Sequence, residues 1–169
     1  MITLVLGGAR SGKSVIAEGI AGRLRSPVTY VATGLVTDTD MADRIAAHRA
    51  RRPSTWATIE VSDDGDLAGC LLSTTGTVLV DSLGAWVATR NVDDDALAVD
   101  GEKVADAIAT RDGDTVVVSE EVGMSVHPLT ESGRRFVDAV GVLNQAVAAV
   151  ADNVLLVVAG RTLTLDGGA

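Results

Sequence analysis

Residues 7–14 read Gly7, Gly8, Ala9, Arg10, Ser11, Gly12, Lys13, Ser14. This is the spacing G-x-x-x-x-G-K-[ST] of a phosphate-gripping P-loop. The motif restricts the fold because it works only as a turn from a buried strand into a helix. Residues 2–6 are an apolar run that predicts the strand, and residues 15–24 predict the helix. Glycine lets the backbone close around a polyphosphate without a Cβ in the way, and the helix N-terminus adds partial positive charge. Lys13 is then expected to reach the β- and γ-phosphates and Ser14 to sit on Mg²⁺. Binding of a nucleoside triphosphate such as ATP or GTP follows, although the loop does not say what is done with it.

Apolar runs and helical patterns alternate through the rest of the chain. Strands are predicted at Val28–Ala32, 56–61, 78–80 (ending in Asp81), 115–118, Asn153–Val158 and 162–165. Helices are predicted at 40–51, 67–72, 93–110 and Glu131–Val150. In the last helix Phe136, Val140, Leu143, Val147 and Val150 recur at spacings of four and three, the period of one helix face. Strands separated by helices predict a mainly parallel sheet covered on both faces. With the P-loop, this becomes an α/β P-loop NTPase fold of the RecA-like type, a three-layer sandwich. A length of 169 residues suits a single domain spanning 1–169. Ligands of such sheets gather at the carboxyl ends of the strands. Lys13, the Ala32, Thr33, Gly34 run, Asp81 and the pair Glu120, Glu121 all fall there.

Charge narrows the choice of partner. The formal net charge is −9, which argues against a general nucleic-acid or anionic-membrane binder. The single cysteine, Cys70, has no partner for an internal disulfide and suits a cytoplasmic location. The apolar stretch near the C-terminus is broken by Asp138, Asn144, Gln145, Asp152 and Asn153 and does not read as a membrane span.

In so acidic a chain a basic cluster stands out. His48 is followed by Arg49, Ala50, Arg51, Arg52 and Pro53. Guanidinium forks hold phosphate oxygens bidentately, so the cluster fits a second phosphate grip. Neutral imidazole is also able to attack phosphorus and form a phosphoramidate. From spacing alone, a second reading stays open, in which His48 is a helix-C-terminal histidine favoured by the dipole, beside a solvated basic end.

The segments "LVLGGARSGKS", "YVAT", "RIAAHRARRP", "LVDSLGAWV", "VVVSEEVGMSVHP" and "GRRFVDAVGVLNQAVAAVADNVLLVVAG" together resemble one family nearly end to end. It is the adenosylcobinamide kinase/adenosylcobinamide-phosphate guanylyltransferase family of cobalamin biosynthesis. The resemblance implies a bifunctional enzyme. ATP or GTP phosphorylates the aminopropanol hydroxyl of adenosylcobinamide. GTP then guanylylates a histidine, and GMP moves on to adenosylcobinamide phosphate, giving adenosyl-GDP-cobinamide.

Carried over by position, the guanylylated residue is His48. The nucleotide contacts fall on residues 7–14, on Ala32, Thr33 and Gly34, on Arg49, Ala50, Arg51 and Arg52, on Glu60 and on Asp81. A carboxylate such as Glu60 pairs well with adjacent N–H donors, as on a guanine edge. Asp81 ends an apolar strand, where a carboxylate holds Mg²⁺ together with Ser14. Glu120 and Glu121 stand where a base or metal ligand acts but receive no defined role. His127, before Pro128, reads as peripheral, and Trp56 and Trp86 as partly buried core. A homotrimer is implied by the resemblance alone. Two alternatives remain, a P-loop small-molecule kinase without the guanylyl step and a non-enzymatic nucleotide-binding regulator.

Overall fold

The computed structural model describes residues 1–34, 45–46, 48–61, 65–90 and 96–165. Seven strands form one sheet: β1 (Ile2–Gly7), β2 (Val28–Ala32), β3 (Ala57–Glu60), β4 (Thr77–Asp81), β5 (Thr115–Glu120), β6 (Asn153–Val158) and β7 (Arg161–Leu165), in the order β3-β2-β4-β5-β1-β6-β7. Every pairing is parallel except β6 with β7. That exception is local. Ala159 (φ 51) and Gly160 (φ 73) both take positive φ, the two-residue turn whose twist suits a hairpin.

Among the described residues, the helices with defined bounds are α1 (Lys13–Ala21), α2 (Leu67–Ser73), α3 (Leu83–Ala88), α4 (Ala96–Thr110) and α5 (Glu131–Val150). Local chemistry starts three of them. Asp66 accepts from Gly69 N at 2.8 Å, Ser82 from Ala85 N at 3.2 Å and Thr130 from Gly133 N at 3.2 Å, each an N-cap satisfying an otherwise orphaned amide. α1 differs, because its N-cap is Gly12, with φ 94 and no capping side chain. Of the predicted helix 40–51, residues 45, 46 and 48–51 are helical and the others lie outside the described residues, as do 93–95 of the predicted helix 93–110.

The strands sort their side chains between two cores by the strict period of two. Leu4, Leu6, Val31, Val78, Val80 and Val117 join one core with α2, α3, α4 and α5. Val5, Val28, Tyr30, Leu79, Val116 and Val118 join the other, under α1. The same parity directs Asp81, two residues past Leu79, and Glu120, two past Val118, to the α1 side. Motif and carboxylates therefore meet on one face for a geometric reason. Among the described residues, no helix is long and apolar enough to cross a membrane.

The amino ends of the central strands β4 and β5 are clamped by Arg111, which is 8 % exposed. Its guanidinium donates to Leu71 O (3.3 Å), Thr74 O (2.9 Å), Gly76 O (2.8 Å), Asp114 O (2.8 Å) and Thr115 Oγ1 (2.9 Å). Removing one donor set strands several acceptors, and each buried unsatisfied group costs roughly 1–3 kcal/mol. Arg111→Met is expected to destabilise the fold by about 3 kcal/mol or more, read as a lowered urea midpoint with an unchanged slope. A midpoint within experimental error of the parent would contradict the clamp.

Candidate active site

The loop between β1 and α1 is shaped by backbone conformation. Arg10 (φ 56) and Gly12 (φ 94) are left-handed, and left-handed residues in a turn are the geometry of an anion nest. A Cβ on Gly7 would meet Ser11 Oγ at 2.5 Å and Val157 O at 2.8 Å, so this position excludes larger residues. Ser11 O accepts from Gly160 N at 2.8 Å, which ties the loop to the β6–β7 turn. Gly8, Ala9 and Arg10 are exposed.

Lys13 folds back over this loop. Its Nζ donates to Gly8 O at 3.4 Å and lies 3.5 Å from Glu120 Oε1. Glu120 in turn accepts from Ser82 Oγ at 3.0 and 2.9 Å. In the parallel register Glu120 stands beside Gly7, the first residue of the loop. The neighbouring Glu121 is different, since its Oε1 accepts from Gly123 N (2.7 Å) and Met124 N (3.1 Å) and orders the following turn. The sequence flagged both glutamates; only the fold separates them.

Asp81 sits at the centre. Its Oδ1 accepts from Ser14 Oγ at 3.4 Å and its Oδ2 from Tyr30 Oη at 2.8 Å, while Nδ1 of His48 stands 3.4 Å from Oδ2. The His48 turn and the P-loop, far apart in sequence, thus share one carboxylate. Burial pushes the Asp81 pKa up, but hydrogen bonds from His48 and Tyr30, the imidazole charge and Ser14 outweigh it and hold the carboxyl below its usual range. The Tyr30 phenol moves up, from burial first and from the adjacent Asp81 second.

Each of the three arginines already has a protein partner. Arg51 grips Glu18 on α1 through Nε and a terminal nitrogen at 3.2 and 3.1 Å. Arg49 pairs with Glu60 at the end of β3. Arg52 donates to His48 O at 3.1 Å and stacks 3.6 Å above the Tyr30 ring, a cation–π contact. They tie the His48 turn to α1, β3 and β2. Arg49, Arg52, Trp56, Thr58 and Glu60 also border an open cleft of about 320 Å³.

The remaining candidates are spread out. Ala50 is exposed on the His48 turn, and Gly34 is exposed past the end of β2. Ala32 is half-buried, and its carbonyl accepts from Val61 N at 2.8 Å. Thr33 is buried and donates to Ser82 O at 2.5 Å, joining the ends of β2 and β4. His127 is exposed in the loop between β5 and α5. Trp86 is fully buried, whereas Trp56 is half-buried at the cleft. Tyr30 was missed from sequence because "VTYVA" reads as core; its parity with Asp81 on an adjacent strand was the available signal.

A parallel sheet with an uncapped helix behind a G-x-x-x-x-G-K-S turn is a P-loop NTPase. One solved structure of that fold, an ATPase from the type III secretion system of pathogenic bacteria, superposes with TM-score 0.52. It shares 10% identity and covers 92% of this chain and 50% of that one. The family model described as cobinamide kinase / cobinamide phosphate guanyltransferase (CobU) matches residues 3–165, and the chain belongs to that family. It is 41% identical to the bifunctional adenosylcobalamin biosynthesis protein CobP of Pseudomonas aeruginosa, covering 99% of this chain and 98% of that protein. With the protein of the same description, CobU, from Salmonella typhimurium, it shares 38% identity over 95% of this chain and 97% of that one.

The depressed pKa of Asp81 has a definite sign in stability. A carboxyl that ionises more readily folded than unfolded adds stability above its ordinary, unfolded value of 3.8. That stability is lost as pH falls through the lower folded value. Asp81→Asn is expected to shrink the acid-side loss of stability in that window. An unchanged acid profile, measured by denaturant titration from pH 6 downward, would show that the native ties do not favour the ionised form.

Proposed function

We propose that this chain catalyses both reactions of its family at one nucleotide site. It phosphorylates adenosylcobinamide, then guanylylates His48 with GTP and passes GMP to adenosylcobinamide phosphate. The observation that carries the reading is the Asp81 carboxylate, within 3.4 Å of both Ser14 Oγ of the P-loop and the His48 ring. A nucleophile and a triphosphate cradle sharing one side chain are placed to act on the same nucleotide.

In the kinase step the P-loop amides and Lys13 hold the β- and γ-phosphates of ATP or GTP. Lys13 exchanges Glu120 and Gly8 O for phosphate oxygens. The substrate hydroxyl attacks the γ-phosphorus in line, and the enzyme stabilises charge on the transferring group. In the transferase step the His48 imidazole attacks the α-phosphorus of GTP and pyrophosphate leaves. An oxygen of adenosylcobinamide phosphate then attacks the same phosphorus and frees the imidazole.

Arg49, Arg51 and Arg52 stand beside His48 and would neutralise charge as pyrophosphate departs. The cleft near Glu60 suits a guanine, with the carboxylate accepting from adjacent ring and amino N–H groups and Trp56 at its wall. Ala32, Thr33 and Gly34 close the site at the end of β2. Ser14 Oγ and the ionised Asp81 Oδ1 are hard oxygen donors, which fits Mg²⁺ shared with phosphates. Bound there, Mg²⁺ would neutralise charge on the phosphate oxygens. A single domain spanning 1–169, read from length, a cytoplasmic location, read from the unpaired Cys70, and a homotrimer, read from the family resemblance, complete the proposal.

The reading divides labour between two residues. Lys13→Ala is expected to lower both activities by about 10²-fold or more. His48→Ala should abolish acid-labile, base-stable labelling from α-labelled GTP, a fall of ~10³-fold or more, while phosphorylation of adenosylcobinamide continues. Wild-type protein that phosphorylates but never takes up α-label would favour the simple kinase. Nucleotide binding without turnover of either corrinoid would favour the regulator.

A further inference from the structure

The two ring nitrogens of His48 have different surroundings. Nδ1 faces Asp81 Oδ2 at 3.4 Å, and the same oxygen takes the Tyr30 hydroxyl at 2.8 Å. The other oxygen, Oδ1, faces Ser14. Tyr30 is itself pinned beneath the Arg52 guanidinium, which also donates to the His48 carbonyl. The backbone of His48 and its carboxylate partner are therefore held by one connected set of contacts. Both Asp81 oxygens take hydroxyl donors, Oδ1 from Ser14 and Oδ2 from Tyr30, the pattern of a carboxylate acting only as acceptor. An ionised carboxylate only accepts, so the nitrogen facing it carries the proton. In a neutral imidazole this leaves the lone pair on Nε2.

We propose that Asp81, braced by Tyr30, is a positioning residue that fixes His48 as the Nδ1–H tautomer, so that the guanylyl group is bonded through Nε2. This rests on the guanylyl-transfer reading above and names its reacting atom. The Nε2 lone pair forms the N–P bond to the α-phosphorus. The bond from that phosphorus to the α–β bridging oxygen breaks, and its electron pair leaves with pyrophosphate. Nδ1 keeps its proton throughout, so the positive charge gained by the ring lies against Asp81. In the return step an oxygen of the cobinamide phosphate takes the phosphorus and the N–P electron pair goes back to Nε2. The two oxygens of Asp81 divide the work, with Oδ2 serving the imidazole and Oδ1 left for the Ser14 side of the site.

The experiment reads the ring nitrogens directly. The chain has two histidines, so spectra of ¹⁵N-histidine-labelled protein and of His127→Gln, altered in the exposed loop, assign His48. In nucleotide-free protein at alkaline pH, Nδ1 is expected as the protonated nitrogen and Nε2 as the unprotonated one. After reaction with GTP and alkaline denaturation, the one-bond ¹⁵N–³¹P coupling should lie on Nε2. In Asp81→Asn the amide is able to donate to Nδ1, which should raise the Nε2–H population and slow adduct formation by about 10²-fold or more. A predominantly Nε2–H ring in the parent protein, or phosphorus on Nδ1, would overturn the proposal. Failure to form any adduct on His48 would sink the guanylyl-transfer reading itself, whereas the nucleotide-free spectrum tests the tautomer on its own. If Asp81→Asn does not fold, the two parent spectra decide.

Discussion

The site is organised by one buried, ionised carboxylate. Taking Asp81 out of water carries a penalty of several kcal/mol unless donors replace the lost hydration. Ser14, Tyr30 and His48 supply those donors, and each belongs to a different part of the chain. Ser14 opens α1, Tyr30 lies on β2, and His48 belongs to the turn before β3. Satisfying that charge therefore draws the loop, the sheet and the histidine turn together. The proposed catalytic geometry and the solvation of Asp81 are one problem with one solution.

The same pattern extends to the basic groups. Lys13 rests on Glu120, Arg51 on Glu18, Arg49 on Glu60 and Arg52 over Tyr30. A chain with net charge −9 holds the basic groups of the candidate site on its own carboxylates and an aromatic ring. The strengths of these ties differ. Arg49 and Glu60 are 58 % and 67 % exposed, and an ion pair so open to solvent is worth about 0–1 kcal/mol. A polyphosphate, with more charge and bidentate geometry for guanidinium, would displace so weak a partner in the proposed reaction. Arg52 is different, because its contacts also shape the His48 turn. Arg49 thus suits capture of a ligand, and Arg52 suits maintenance of the proposed nucleophile, His48.

Arg111 plays the complementary part at the amino ends of the central strands. The strand ends that carry function are held by exchangeable ion pairs. The opposite ends are held by a guanidinium whose acceptors are nearly all backbone carbonyls. Rigidity and adaptability are placed at opposite ends of the same strands.

Whereas His48 was singled out by the family resemblance, local spacing alone was sufficient for the anion cradle, the alternation of strands and helices and the mainly parallel sheet. Those features are written in contiguous residues, where periodicity and motif chemistry act over a few positions. The partners of Asp81 were not legible that way. Tyr30 lay within an apolar strand and looked like core, and Glu120 and Glu121 looked equivalent. The choice depended on strand order, which sets β2 against β4 and β5 against β1. It depended also on side-chain parity, which turns Tyr30, Asp81 and Glu120 towards α1. Neighbourhood across a sheet is a non-local property, so the sequence determined which chemical groups exist and the tertiary structure decided which of them meet.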